Sequence, residues 1–206
     1  MVAKLLVGIA FTLVSVSCGA QVAPAVNQKP PLGTSLGVAM NYWSADWGSA
    51  KVNRWGPSAS GTVTIWHDWS VIAEGRALIW GGNSFANGRG GTLPTSAFKY
   101  YSGAGGVLFT SGYWGRLQPL LKAEVGHASM SHPSNLSGHL HDTSTIYTLG
   151  GGFDYHTHGN LWTRVEYNYD FFPNFQSYID HKNHGLNPRG ITFGVTYRFG
   201  AWGSRF

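Results

Sequence analysis

The segment LWTRVEYNYD, residues 161 to 170, puts charges of both signs on one face of an alternating pattern, and few folds accept that arrangement. Leu161, Thr163, Val165, Tyr167 and Tyr169 form one set at period two, and Trp162, Arg164, Glu166, Asn168 and Asp170 form the other. This is the spacing of a strand, whose successive side chains point to opposite faces. The pattern recurs. Trp69, Val71, Ala73, Ala77 and Ile79 oppose Glu74 and Arg76; Leu117, Leu121, Ala123 and Val125 oppose Lys122 and Glu124; Tyr147, Leu149, Phe153 and Tyr155 oppose Thr148, Gly150, Gly152 and Asp154. In ITFGVTYRF, Ile191, Phe193, Val195, Tyr197 and Phe199 oppose Thr192, Gly194, Thr196 and Arg198. Only AFKYYSGAGGVLFT shows no clean phase.

Collected, the polar faces hold Glu74, Arg76, Lys122, Glu124, Asp154, Arg164, Glu166, Asp170 and Arg198, which takes five of the chain's nine acidic residues. Solvent-facing sheets do pair opposite charges across strands. Here, however, the other face carries Leu, Val, Tyr and Phe on segment after segment, and no helix-period stretch exists to cover it. Lipid can cover it. Charged residues are only 11% of the chain and aromatics 15%, against roughly 25% charged in soluble domains. The expected fold is therefore all-β, an eight-stranded antiparallel up-and-down transmembrane barrel with the greasy set outward and the charges in the lumen.

The strands are expected at about 34–46, 57–67, 69–81, 97–110, 115–128, 144–156, 160–171 and 189–199. Their connections alternate. His67-Asp68, GYWGR and HTHGN are short, whereas 47–56, 82–96, 129–143 and 172–188 are long and rich in Gly, Asn, Ser, His and Pro. Short periplasmic turns and long outer loops are the habit of outer-membrane barrels. Ahead of the barrel, residues 1–20 read as a secretory signal, with Lys4, an apolar run from Leu5 to Val16, and cleavage after Ala20. The alternative of a lipidated Cys18 is weakened by Ser15, which stands where such a site expects an aliphatic residue. Residues 21–33 form a Pro-containing periplasmic leader, 34–199 the barrel, and 200–206 a short tail. Without Cys18 the mature chain has no thiolate for a disulfide, nucleophile or metal site. The net charge of +5 is scattered, which gives nucleic-acid binding no support.

The stretches WGPSASGTVTIW, GRLQPLLKAEVG, TLGGGFDYHTHGNLWTRVEYNYDFF and ITFGVTYRF resemble those of the OmpA/OmpX-like small eight-stranded outer-membrane barrels, across nearly the whole mature chain. The resemblance implies location in the cell outer membrane, contact with its lipid and lipopolysaccharide, and handling by the barrel-assembly machinery. It also implies an assembly signal at Thr192, Gly194, Tyr197 and Phe199, although AWGSRF continues beyond it.

Eight strands enclose a space that side chains can fill. The leading expectation is a non-enzymatic surface barrel without cofactors, reaching an extracellular ligand through loops 47–56, 82–96, 129–143 and 172–188. Tyr42, Trp43, Trp47, Trp66, Trp69, Trp80 and Tyr169 are expected in aromatic girdles. Two alternatives rest on particular residues. His127 and Ser129, with Asp142 as orienting acid, match the His-x-Ser spacing of outer-membrane lipid A deacylases. His139 with His141, or His181 with His184, could ligate a transition metal from the loops.

Overall fold

The structure is a computed structural model, in which residues 33–47, 50–81, 85–86, 92–93, 99–133, 139–173 and 187–199 are described. The expected signal peptide with Cys18, the leader up to residue 32, the tail from residue 200, and His181 and His184 lie outside these. Ten strands form: β1 (Thr34–Trp47), β2 (Ala50–Trp66), β3 (Trp69–Leu78), β4 (Phe85–Ala86), β5 (Thr92–Leu93), β6 (Lys99–Thr110), β7 (Leu117–Pro133), β8 (His139–His158), β9 (Leu161–Phe171) and β10 (Arg189–Phe199). Eight of them close an antiparallel barrel in the order β1-β10-β9-β8-β7-β6-β3-β2, while β4 and β5 pair only with each other.

The alternation seen in the sequence sets the two faces. Along β9 and β10 buried residues occupy every second position. Leu149, Phe193 and Val38 point outward at 62%, 58% and 61% exposure with no layer of the described residues over them, so their cover must be lipid. Closure is complete along β1 and β10, from Thr34 opposite Phe199 to Ser44 opposite Arg189, which leaves no free edge there. The seam is tight: a Cβ on Gly194 would stand 2.4 Å from the Ala39 Cβ and 2.4 Å from the Val38 carbonyl oxygen. At the periplasmic end the turns use positive φ, at Gly115 (63°), Gly159 (55°) and the non-glycine His67 (42°).

Two expected loops are mostly strand. β2 begins at Ala50, so residues 48 and 49 alone separate it from β1 in place of a loop 47–56. β7 runs to Pro133 and β8 starts at His139, which leaves 134–138 of the expected 129–143. Backbone groups pair along the ladder whether or not a greasy face marks the strand, so both hairpins run past the segments by which the strands are recognised. His139 and His141 thus stand on β8, opposite Pro133 and Ser131. Within 82–96 the ladder of Phe85 with Leu93 and Ala86 with Thr92 was also unforeseen.

Candidate functional site: the filled lumen

All nine singled-out charges are buried inside the barrel. They form one connected network. Arg76 Nε lies 2.5 Å from Glu74 Oε1 and its Nη1 3.1 Å from Asp170 Oδ2. Lys122 Nζ holds Glu74 Oε2 at 2.5 Å, Glu166 Oε2 at 2.8 Å and Glu124 Oε2 at 3.4 Å. Arg164 joins Glu166, at 3.4 Å, to Asp154, which also receives Arg198. Opposite charges commonly pair between neighbouring strands, yet among the described ion pairs only Arg164 with Asp154 does so. The others run along one strand or across the interior. The charges come from β3, β7, β8, β9 and β10, and Glu74, Arg164 and Arg198 border the small inward residues Ser35, Ser58 and Thr62 of β1 and β2.

Each end of the network is sealed by a different chemistry. Towards the periplasm, Trp162 is buried on β9, with the Arg198 guanidinium 3.9 Å from its ring centre and the rings of Tyr113 and His156 at 5.8 and 4.8 Å. Arg198 Nη1 also donates to Gln118 Oε1 at 2.7 Å. Towards the outside, Trp43, Leu78, Tyr100, Met130, Ile146 and Phe172 pack into an apolar cluster. Trp43 was expected in the girdle, but it shares the inward phase of Asn41; it stacks on Tyr100 at 5.3 Å and its Nε1 donates to Asp170 Oδ2 at 3.3 Å. Trp66, Trp69, Trp80 and Tyr169 do face outward. The Trp47 side chain is outside the described set. The residues of the outer plug were missed because no charge marked them, whereas Trp162 stands on the face that its parity with Arg164 assigned.

Thr192 works from inside the seam. Asn168 donates to its hydroxyl at 2.9 Å, and the hydroxyl donates to Asn41 Oδ1 at 2.6 Å, a relay that Asn41 extends to the Gly56 carbonyl at 3.2 Å. Tyr197 and Phe199 point outward with ring centres 4.9 Å apart. Of the deacylase-like set, the Asp142 side chain lies outside the described residues. His127 and Ser129 share the outward phase, but Asp142 stands opposite Met130, one residue out of step with both. Among the described residues no group of three or more His, Cys, Asp or Glu is arranged to hold a metal ion.

A closed antiparallel cylinder with an apolar outer wall and an ion-paired interior is an integral membrane β-barrel. Residues 10–199 match the model of the outer membrane protein beta-barrel domain, and the chain belongs to that family. It resides in the outer membrane. Among solved structures it is similar to Neisserial surface protein A, with a TM-score of 0.61 and 16% identity, over 81% of this chain and 97% of that one. It is also similar to Ail of Yersinia pestis, solved in complex with the heparin analogue sucrose octasulfate (0.53, 19%, 82% and 99%), and to OprG of Pseudomonas aeruginosa (0.53, 12%, 86% and 100%). At these identities the likeness is one of fold. No curated protein matches the chain in sequence.

Proposed function

We propose that this protein is a non-enzymatic outer-membrane barrel with a filled, non-conducting interior, acting at the cell surface through the hairpins that continue β1–β2 and β7–β8 beyond the bilayer. The observation that carries the reading is the three-level filling of the lumen: an aromatic and cationic stack, a connected ion-pair layer and an apolar plug. Solutes need a continuous wet path, and each level removes one. Ail, which shares the fold, holds a sulfated ligand, so a small barrel of this kind can serve as a binding platform.

Purified protein inserted into a planar bilayer should give no large, steady conductance. A stable porin-sized current would overturn the filled-lumen reading. The assembly signal and its use by the assembly machinery belong to the same proposal, with Thr192 and Gly194 shaping the closing seam and Tyr197 and Phe199 presenting an aromatic edge to the membrane.

A further inference from the structure

Beside the Trp162 stack, at the periplasmic end where Gly33 leads into β1, the lumen holds a cavity of about 30 Å³. Its polar lining is made of donors. Arg164 and Arg198 border it from β9 and β10, and Ser35, Thr62, Thr64 and Ser70 border it from β1, β2 and β3, while no described carboxylate does. Leu108, buried on β6, closes one side with hydrocarbon.

The hydroxyls come in pairs, Ser35 with Thr62 at 2.6 Å and Thr64 with Ser70 at 3.1 Å between oxygens. One proton of each pair makes the bond within it, so the second proton of each is left to donate elsewhere. No described residue accepts it. The two guanidinium groups share one carboxylate, Asp154, which lies off the cavity, and their side chains are only 7% and 9% exposed. At such burial their field reaches the cavity weakly screened. Spare hydroxyl protons in a positive field call for an anion. Size narrows the choice: one water-sized sphere takes about 10–15 Å³, so the space admits a single monatomic ion and is too narrow for the four oxygens of phosphate or sulfate.

We propose that this cavity is a halide site, filled by a chloride ion drawn from the periplasm. The Ser35–Thr62 and Thr64–Ser70 pairs each donate one hydrogen bond to the ion, and Arg164 and Arg198 act on it through their charge while they hold Asp154. The apolar cluster at the outer end closes the path beyond, so the site is a blind pocket and the barrel stays non-conducting. This inference is independent of whether the surface hairpins bind anything.

The test is the NMR linewidth of chloride in the presence of the full folded chain in nonionic detergent, at about 0.15 M sodium chloride. The chain should broaden the line beyond detergent alone; bromide should narrow it again by competition, and sulfate at equal ionic strength should not. Thr62→Val with Ser70→Ala should cut the excess broadening at least about threefold, and Arg198→Gln at least about tenfold. The gel mobility of unheated samples reports that each variant has folded, and should Arg198→Gln fail to fold, the hydroxyl variant decides alone. Arg116→Gln, in a periplasmic turn, should leave the broadening unchanged. No excess broadening by the folded chain, displacement by sulfate as effective as by bromide, full broadening in the folded hydroxyl variant, or an equal loss in Arg116→Gln would each overturn the proposal.

Discussion

Arg164 grips Asp154 from the position directly opposite it in the β8–β9 ladder, with Nε donating to Oδ1 at 2.7 Å and Nη2 to Oδ2 at 2.8 Å. Both side chains are buried, so removing either leaves a charge that water cannot reach. Breaking a buried pair from one side costs about 3–5 kcal/mol. Arg164→Ala should fall at the lower end, because Arg198 still serves Asp154. Asp154→Ala takes a carboxylate from two guanidinium groups at once and should cost more. Urea unfolding of the barrel in lipid vesicles would measure the order, and losses well under about 1 kcal/mol for both would mean that the interior is wet.

Trp162 plugs the periplasmic mouth but is not the only seal. Trp162→Ala should lose about 3 kcal/mol of stability and still give no steady current, because the charge layer and the outer apolar cluster remain. A conducting Trp162→Ala barrel would show that the ion-pair layer leaks.

Two glycines three positions apart on β6 should behave oppositely. A Cβ on Gly106 would sit 2.0 Å from the Ala123 carbonyl oxygen, whereas one on Gly103 would meet nothing within 4 Å. Gly106→Ala should therefore destabilise by about 1–3 kcal/mol, and Gly103→Ala should change stability by no more than about 1 kcal/mol, in the stabilising direction if either. Thermal unfolding of the two variants would decide it, and equal losses would mean that the inward and outward assignment on β6 is wrong.

The legible part of the fold is the part that charge marks. Glu74, Arg76, Lys122, Arg164 and Arg198 fixed the phase of their strands because none can face lipid. β6 has no charge at its membrane-embedded positions, and its phase stayed hidden until Tyr100 and Leu108 were found inside. KVNRWG, residues 51–56, looks like a loop because an arginine and a glycine hold its inward positions and only one large apolar residue marks its outward face, although Arg54 is fully buried and Trp55 exposed as in the strands below. Trp43 was misread by its nearness to a strand end, although its parity with Asn41 already pointed inward. The contacts of Arg76 with Asp170 and of Lys122 with Glu166 could not be read at all, since they depend on the barrel's diameter and stagger.

The closing strand should be sensitive on its outer face and indifferent to the loss of residues 201–206. Tyr197→Asp with Phe199→Asp places two charges on the membrane side of β10, where each costs up to about 2–4 kcal/mol depending on depth. Cells should accumulate the variant in the periplasm and degrade it. Deleting residues 201–206 should leave insertion intact, as read by cell fractionation and by the shifted gel mobility of unheated protein. Normal insertion of the double aspartate together with failure of the deletion would misplace the closing strand.

A ring of strands joined only to their neighbours is a hinged loop, and a hinged loop can be squeezed into an ellipse with little change in any single joint. Arg76 to Asp170 and Lys122 to Glu74 are chords of that ring, spanning β3 to β9 and β7 to β3. Flattening the cylinder must either stretch one of them, in a medium where separated charges find no water, or force packed side chains together. The cross-section is thus braced from within, and the surface hairpins keep their mutual spacing when lateral pressure in the membrane changes.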